Sequence, residues 1–409
     1  MTNKVFNMEH WKKNVALFLV GQGITLIGSS LVSYAIMWHV TLKTQSGIMM
    51  SVFVVATMLP MFFMSPFGGV WADRFNKKYI INIADGSIAI VTLVIAIFYS
   101  IGFENIVLLF ICAIVRSAGQ GVQMPAVTSL IPQITPEKHL VRINGINSTI
   151  QSISTLGSPA LAGLLMTFAP LQVIFFIDVV TAAIGISVLF FFVKTPPKTK
   201  QERELLKGRT YFTDIKEGVK YALKRSFIKR FIVVATLFNI LLAPAMFLAI
   251  LQVTRNFGAD VWRLSLTELG FSIGMLIGGI VVAVWGGFKN KTVTVIFGTI
   301  IFGAATIGLG LMNIFGLYIV CMAVCGAAVP FFNTASLSIF QIKVDSEYMG
   351  RIMSVITMIS SLVMPLGMLV FGPLGDVISI DLIMIVTGIG TMIVALYIIM
   401  DKVLIDAGK

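Results

Sequence analysis

The sequence predicts an all-α membrane protein, with twelve transmembrane helices in two six-helix bundles and both termini cytoplasmic. Three observations predict it. The 409 residues are 57% hydrophobic and 12% charged, with a mean hydropathy of +0.96, whereas soluble domains carry about 25% charge. Apolar runs of about 20 residues, each able to cross roughly 30 Å of hydrocarbon, recur in two sets of six. Every Lys and Arg except Lys43, Arg255, Arg263 and the intramembrane Arg116 falls on the side of the two termini, which is the bias that orients membrane proteins. The net charge of +12 is therefore a topological signal. It leaves no folded basic surface to bind nucleic acid.

The first run, 14–40, follows Lys12 and Lys13 with no cleavage site after it, so it is expected to stay in the membrane. Gln22, Thr25, Ser29 and Ser33 make a polar stripe along one face of it. The second run, 47–70, ends in "GGVWADRFNKK", where Gly69, Asp73, Arg74, Lys77 and Lys78 crowd together. Holding the loop inside explains Lys77 and Lys78. It does not explain Asp73, because acids contribute little to topology. A carboxylate at a helix N-terminus contributes about 0.3–1 kcal/mol, enough to bias two states and weak enough to be reversed in each cycle.

The third run, 79–101, contains Asp85, and the fourth, 105–131, contains Arg116. An arginine at that depth costs at least about 2.5–3.5 kcal/mol and needs a partner. Gln120 and Gln123 follow at i+4 and i+7 on the same face. The fifth run, 144–168, holds Gly157, Pro159 and Gly163 in "GSPALAG". Proline bends a helix and glycines allow close approach. The sixth run, 171–193, contains Asp178. At 1.5 Å per residue, Arg116 lies roughly 16 Å and Asp178 roughly 11 Å from the outer ends of their helices, while Asp85 lies roughly 9 Å from the inner end of its own. Depth therefore pairs Arg116 with Asp178 and leaves Asp85 as the next acid in line, or as a support for the cytoplasmic side.

A polar stretch, 194–230, separates the halves. It divides the chain into a bundle over 1–193, a linker over 194–228 and a second bundle over 229–409. Tyr211, Ile215, Val219 and Leu223 recur near helical spacing in it, which predicts an amphipathic helix on the cytoplasmic interface. The second half spans 229–253, with Asn239; 264–286; 291–312; 314–340, with Asn333; 350–374; and 378–400. It echoes the first: "VWADRFNKK" is matched by "VWGGFKNK" (284–291), and "PEKHLVRI" (136–143) by "SEYMGRI" (346–352). Such duplication is a mark of transporters, with the substrate site between the repeats.

Cys112, Cys321 and Cys325 sit inside spans without ligating partners, so no metal site is expected. No nucleophile–base or paired-acid constellation appears, so neither an enzyme nor a cofactor is expected. With 22 Met and 31 Phe, a large, soft apolar cavity with sparse polar groups is expected, suited to bulky amphipathic ligands.

The loop Gly69-Val-Trp-Ala-Asp73-Arg74-Phe-Asn-Lys77-Lys78 resembles the signature of the major facilitator superfamily, G-x-L-a-D-R-x-G-R-K. Here Trp71 replaces the usual Leu, and Asn76 replaces a Gly in a left-handed turn, a conformation Asn tolerates. The resemblance implies a gate in which Asp73 meets a helix end and the basic residues bridge to the other half. "RSAGQ" resembles the family's fourth-span arginine motif and implies a part in proton transfer. "GSPALAG" resembles the fifth-span motif of its antiporters. In this family the first, fourth, seventh and tenth spans line the cavity, which implies that Gln22, Thr25, Ser29, Gln120, Gln123, Asn239 and Asn333 face substrate.

Across all twelve spans the chain resembles bacterial macrolide-efflux proteins of that superfamily. That resemblance implies a proton-driven antiporter exporting lipophilic drugs from the bacterial cytoplasmic membrane and working as a monomer, with protons, substrate and membrane lipids as its partners. The alternatives are export of another amphipathic molecule, such as a siderophore, or a non-transporting sensor on the same fold.

Overall fold

The computed structural model describes residues 11–195, 220–222 and 224–409. Most of the interfacial helix expected over 211–226 lies outside the described residues. Helices α1 (Trp11–Thr44), α2 (Gly47–Arg74), α3 (Lys77–Ser100), α4 (Ile106–Ile134), α5 (Leu140–Phe168) and α6 (Leu171–Phe192) precede the linker. After it come α7 (Ser226–Asn256), α8 (Val261–Trp285), α9 (Lys291–Leu311), α10 (Phe315–Lys343), α11 (Ser346–Val377), α12 (Ile380–Met400) and a short α13 (Lys402–Ala407).

Among the described residues, eleven helices are long and apolar enough to cross a membrane. The exception among the twelve expected spans is α5. Its 29 residues would reach roughly 43 Å, but Asn144, Asn147, Gln151 and a run of Ser and Thr lower its hydropathy. Those hydroxyls are satisfied inside the helix: Thr149 donates to the Gly145 carbonyl, Ser152 to Ser148 and Thr155 to Gln151, at 2.9–3.0 Å. These hydroxyls are thus hydrogen-bonded rather than left bare, which lowers the cost of placing them in a membrane.

The chain divides into two compact units. One holds α1 up to Met37, α2 from Ala56, and α3 to α6; the other holds Trp38–Val55 and the helices from α7 onward. Within the first, α3 packs on α4 and α6. Its buried face carries Ile81, Asp85, Ile88 and Thr92, while Ile83, Ile90 and Ile97 are at least half exposed on the opposite face. An apolar ridge left open to solvent over that length is a surface for lipid.

In the second unit α10 packs against both α8 and α9, and α9 against α12. A Cβ at Gly274 or Gly278 would strike the Ala323 or Ala327 carbonyl. α8 and α10 therefore cross backbone to backbone, as small residues permit in membranes.

The duplicated loops form equivalent starts. Asn76 caps α3 by accepting from Lys78 N at 3.0 Å, and Asn290 caps α9 by accepting from Thr292 N at 2.9 Å. The left-handed turn expected at Asn76 is absent. Its φ is −73°, because an N-cap takes an extended backbone and uses its side chain for the orphan N–H.

Candidate functional site

Four helices of the first unit converge on one charge pair. Arg116 of α4 and Asp178 of α6 form a salt bridge with 3% and 0% of their side chains exposed. The pairing predicted from depth is the one the structure makes. Arg116 Nη1 also donates to Thr92 Oγ1 of α3 at 2.5 Å, and Nη2 to the Ser29 carbonyl of α1 at 3.0 Å. Ser29 Oγ in turn donates to Asp178 Oδ1 at 3.3 Å.

Buried charges are tolerated when paired and hydrogen-bonded all round, and this pair is. Gly28 makes room for it: a Cβ there would collide with Thr181 and crowd Asp178 Oδ1. Neither Thr92 nor Gly28 carried a sequence signal, since Thr and Gly are ordinary in membrane helices.

Seven residues further along α4, a second polar group forms around Asp85, which is 2% exposed. Gln123 Nε2 donates to Asp85 Oδ1 at 2.9 Å and to Gln22 Oε1 of α1 at 3.3 Å. Asp85 Oδ2 has no hydrogen-bond partner among the described residues. Gln120 is half-buried on the same helix.

The α1 stripe was expected to line a cavity. Instead Thr25 and Ser29 are 4% and 8% exposed. Thr25 bonds back to the Gly21 carbonyl at 3.1 Å and fills the space over Gly185 of α6. Thr25 and Ser29 thus face α6, while Gln22 meets Gln123 of α4 and Ser33 bonds back to the Ser29 carbonyl.

At the end of α2, Asp73 and Arg74 are exposed. Lys77 donates to the Ser129 carbonyl at 2.7 Å and Lys78 to the Val193 carbonyl at 2.9 Å, which anchors both ammonium groups within their own unit. Val193 follows the end of α6, whose last carbonyls lack intrahelical partners and attract cations. Gly69 would admit a Cβ with nothing within 4 Å, whereas one at Gly68 would strike Val122 and the Gly121 carbonyl. The close approach of α2 to α4 therefore depends on Gly68.

In α5, Pro159 is buried within an unbroken helix and Gly163 is buried beside it. Gly157, expected to permit close packing, faces open space.

In the second unit Asn239 and Asn333 line one cavity of about 190 Å³ together with Phe238, Phe271, Met246, Met275 and Met364. This is the sparse-polar, methionine-rich wall the composition implied. Drug-sized sites run to about 300–1,000 Å³, so this cavity is smaller than the large one expected.

Two acids of this unit escaped the sequence reading. Asp376 of α11 caps the start of α2, accepting from Ser46 Oγ, Gly47 N, Ile48 N and Arg255 Nη2 at 2.7–3.0 Å. Glu268 stands inside α8. The rule that singled out Asp178, an acid within an apolar run, would have found Glu268, whereas Asp376 lies two residues past the expected run 350–374 and carried no such signal.

Comparison with known proteins is consistent with this architecture. Residues 15–368 match the family model described as Major Facilitator Superfamily. The chain is 29% identical to Macrolide efflux protein A of Streptococcus pyogenes over 393 residues, covering 96% of each chain. It is 21% identical to the Staphyloferrin A transporter of Staphylococcus aureus over 391 residues, covering 93% of this chain and 94% of that one. Among solved structures, nucleoside transporter NupG (D323A mutant) superposes with a TM-score of 0.71 at 15% identity, covering 95% of this chain and 99% of that one.

Proposed function

The chain belongs to the major facilitator superfamily and is a multi-pass protein of the bacterial cytoplasmic membrane; on that premise we propose that it is a proton-driven antiporter exporting bulky lipophilic drugs, macrolides foremost, by alternating access. The observation that carries the coupling is the buried Arg116–Asp178 pair held by Ser29 and Thr92. The similarity to Macrolide efflux protein A supports the substrate.

In the mechanism, Asp178 takes a proton from outside and its carboxylate becomes a neutral carboxyl. Arg116 then loses its counter-ion inside a dry bundle. Stripping one partner from a buried pair costs about 3–5 kcal/mol, so the helices around it are driven to rearrange and admit water. Release of the proton to the cytoplasm restores the carboxylate and the pair. One proton moving inward through 100 mV supplies about 2.3 kcal/mol, which is on the scale of that cost. Asp85 of α3, held by Gln123 of α4, which also meets Gln22 of α1, is the next acid on the path. Asp73, Arg74, Lys77 and Lys78 form the gate, and the flexion of α5 at Pro159 lets the cycle favour exchange. Asn239 and Asn333 offer hydrogen bonds to a ligand seated among Met and Phe.

Everted membrane vesicles test this reading. A macrolide such as erythromycin should dissipate an imposed pH gradient, and Asp178→Asn vesicles should not respond. A wild-type protein that moves neither drug nor protons would refute it. The 21% identity to the Staphyloferrin A transporter favours one alternative, export of a siderophore by the same machinery. Gradient dissipation by that compound and not by macrolides would select it.

A further inference from the structure

We propose that Glu268, with Phe271 and Met275 on the same face of α8, forms a recognition subsite for the cationic group of a lipophilic ligand. Glu268 lies seven residues into α8, roughly 10 Å from its start, and is half-buried. It has no hydrogen-bond or ion-pair partner among the described residues.

The other acids with described side chains in this unit that approach a cation are paired. Asp260 meets Arg263, Asp345 meets Arg225, Asp376 meets Arg255, Asp401 meets Arg230 and Asp406 meets Lys409. Asp381 accepts from Gln252 and Asn256. Among the described residues of this unit, Glu268 keeps an unanswered carboxylate within a membrane span, a costly arrangement that calls for a visiting cation.

The neighbouring surface fits such a visitor. Phe271 and Met275, at i+3 and i+7 from Glu268, line the cavity of about 190 Å³ that also holds Phe238, Met246 and Met364. Residues at those spacings share a helix face, so the carboxylate stands one turn from the cavity wall. Aromatic faces attract cations, and methionines conform to varied apolar bodies. The two other polar groups lining the cavity, Asn239 and Asn333, are uncharged. The lining itself is uncharged, and Glu268, one turn from it on the same face of α8, places a negative charge beside this apolar bed, which selects amphipathic cations and repels anions. The inference rests on the exporter reading only in taking the bound cation to be cargo.

Binding to the purified full chain tests it without requiring transport. Equilibrium dialysis would compare tetraphenylphosphonium, a permanent cation, with uncharged triphenylphosphine oxide. Glu268→Gln should weaken the cation at least about tenfold, leave the neutral probe within about twofold, and be partly rescued by Glu268→Asp. A cation affinity unchanged in Glu268→Gln, or an equal loss for both probes, would overturn the proposal. Should Glu268→Gln not fold, tetraphenylphosphonium should protect Glu268 of the wild-type protein from a hydrophobic carbodiimide, and absence of protection would overturn it equally. A protein that binds the cation through Glu268 yet fails the vesicle assay would refute export and leave the subsite standing.

Discussion

Arg116 is gripped by oxygens from three other helices, Ser29 of α1, Thr92 of α3 and Asp178 of α6. Removing either charge leaves its partner buried and alone. Arg116→Ala and Asp178→Asn should each abolish uphill, proton-dependent efflux. Arg116→Ala should also destabilise the protein by about 3–5 kcal/mol, and Arg116→Ala/Asp178→Asn should recover part of that loss, all readable from thermal unfolding in detergent and transport in vesicles. Full proton-dependent efflux by Asp178→Asn would move the carrier role to Asp85. Gly28→Ala changes no charge but drives a methyl into Thr181 and Asp178, so it should impair efflux through geometry alone. Gly157→Ala, where a Cβ meets nothing, should be tolerated in packing. The contrast separates glycines that hold helices together from glycines that merely fit a motif.

At the scale of helices, starts and crossings decide stability. Asn76→Ala removes the cap of α3 and should cost about 0.5–2 kcal/mol, with Asn290→Ala at α9 costing a similar amount. Asp401 caps α13 and pairs with Arg230 at 2.7 Å. Burial pushes its carboxyl up, but the Arg230 guanidinium and the Leu404 and Val403 N–H groups outweigh that and hold it below the usual carboxylate range. A lowered value in the folded state means the cap is at full strength above the unfolded carboxylate value of about 3.9. It is lost only as pH falls through the lower folded value. Protection factors for the amides of 402–407, taken relative to the unstructured rate at each pH, should therefore be full at neutral pH and fall below about pH 4, and Asp401→Ala, which removes both the cap and the Arg230 pair, should show the low protection throughout.

For the whole molecule, we propose from the distribution of basic residues that both termini and the 194–228 linker lie in the cytoplasm. A cysteine introduced in the linker should resist an impermeant maleimide in intact cells and react after permeabilisation; ready reaction in intact cells would reverse the topology. Asp73→Asn keeps the basic residues that set topology, so the protein should still insert while efflux falls. Unchanged resistance at normal expression would remove Asp73 from the gate.

The sequence alone determined the membrane class, the helix positions and the Arg116–Asp178 pairing. Those follow from local quantities: hydropathy over a span's length, charge at its ends, and depth counted along a helix. It also pointed to Asn239 and Asn333, which share a cavity wall. Tertiary structure decided where each face points. Thr25 and Ser29 look like cavity residues by spacing, yet they turn toward α6, because a buried charge pair recruits every polar group in reach. Asn76 looked like a glycine substitute and is a cap, because the next helix begins one residue later. Gly68, and not Gly69, meets a neighbouring backbone, and Thr92 completes the guanidinium's shell. Period and composition say that a face exists; only the packing of the other helices fixes what that face meets, since each contact joins residues far apart in the chain.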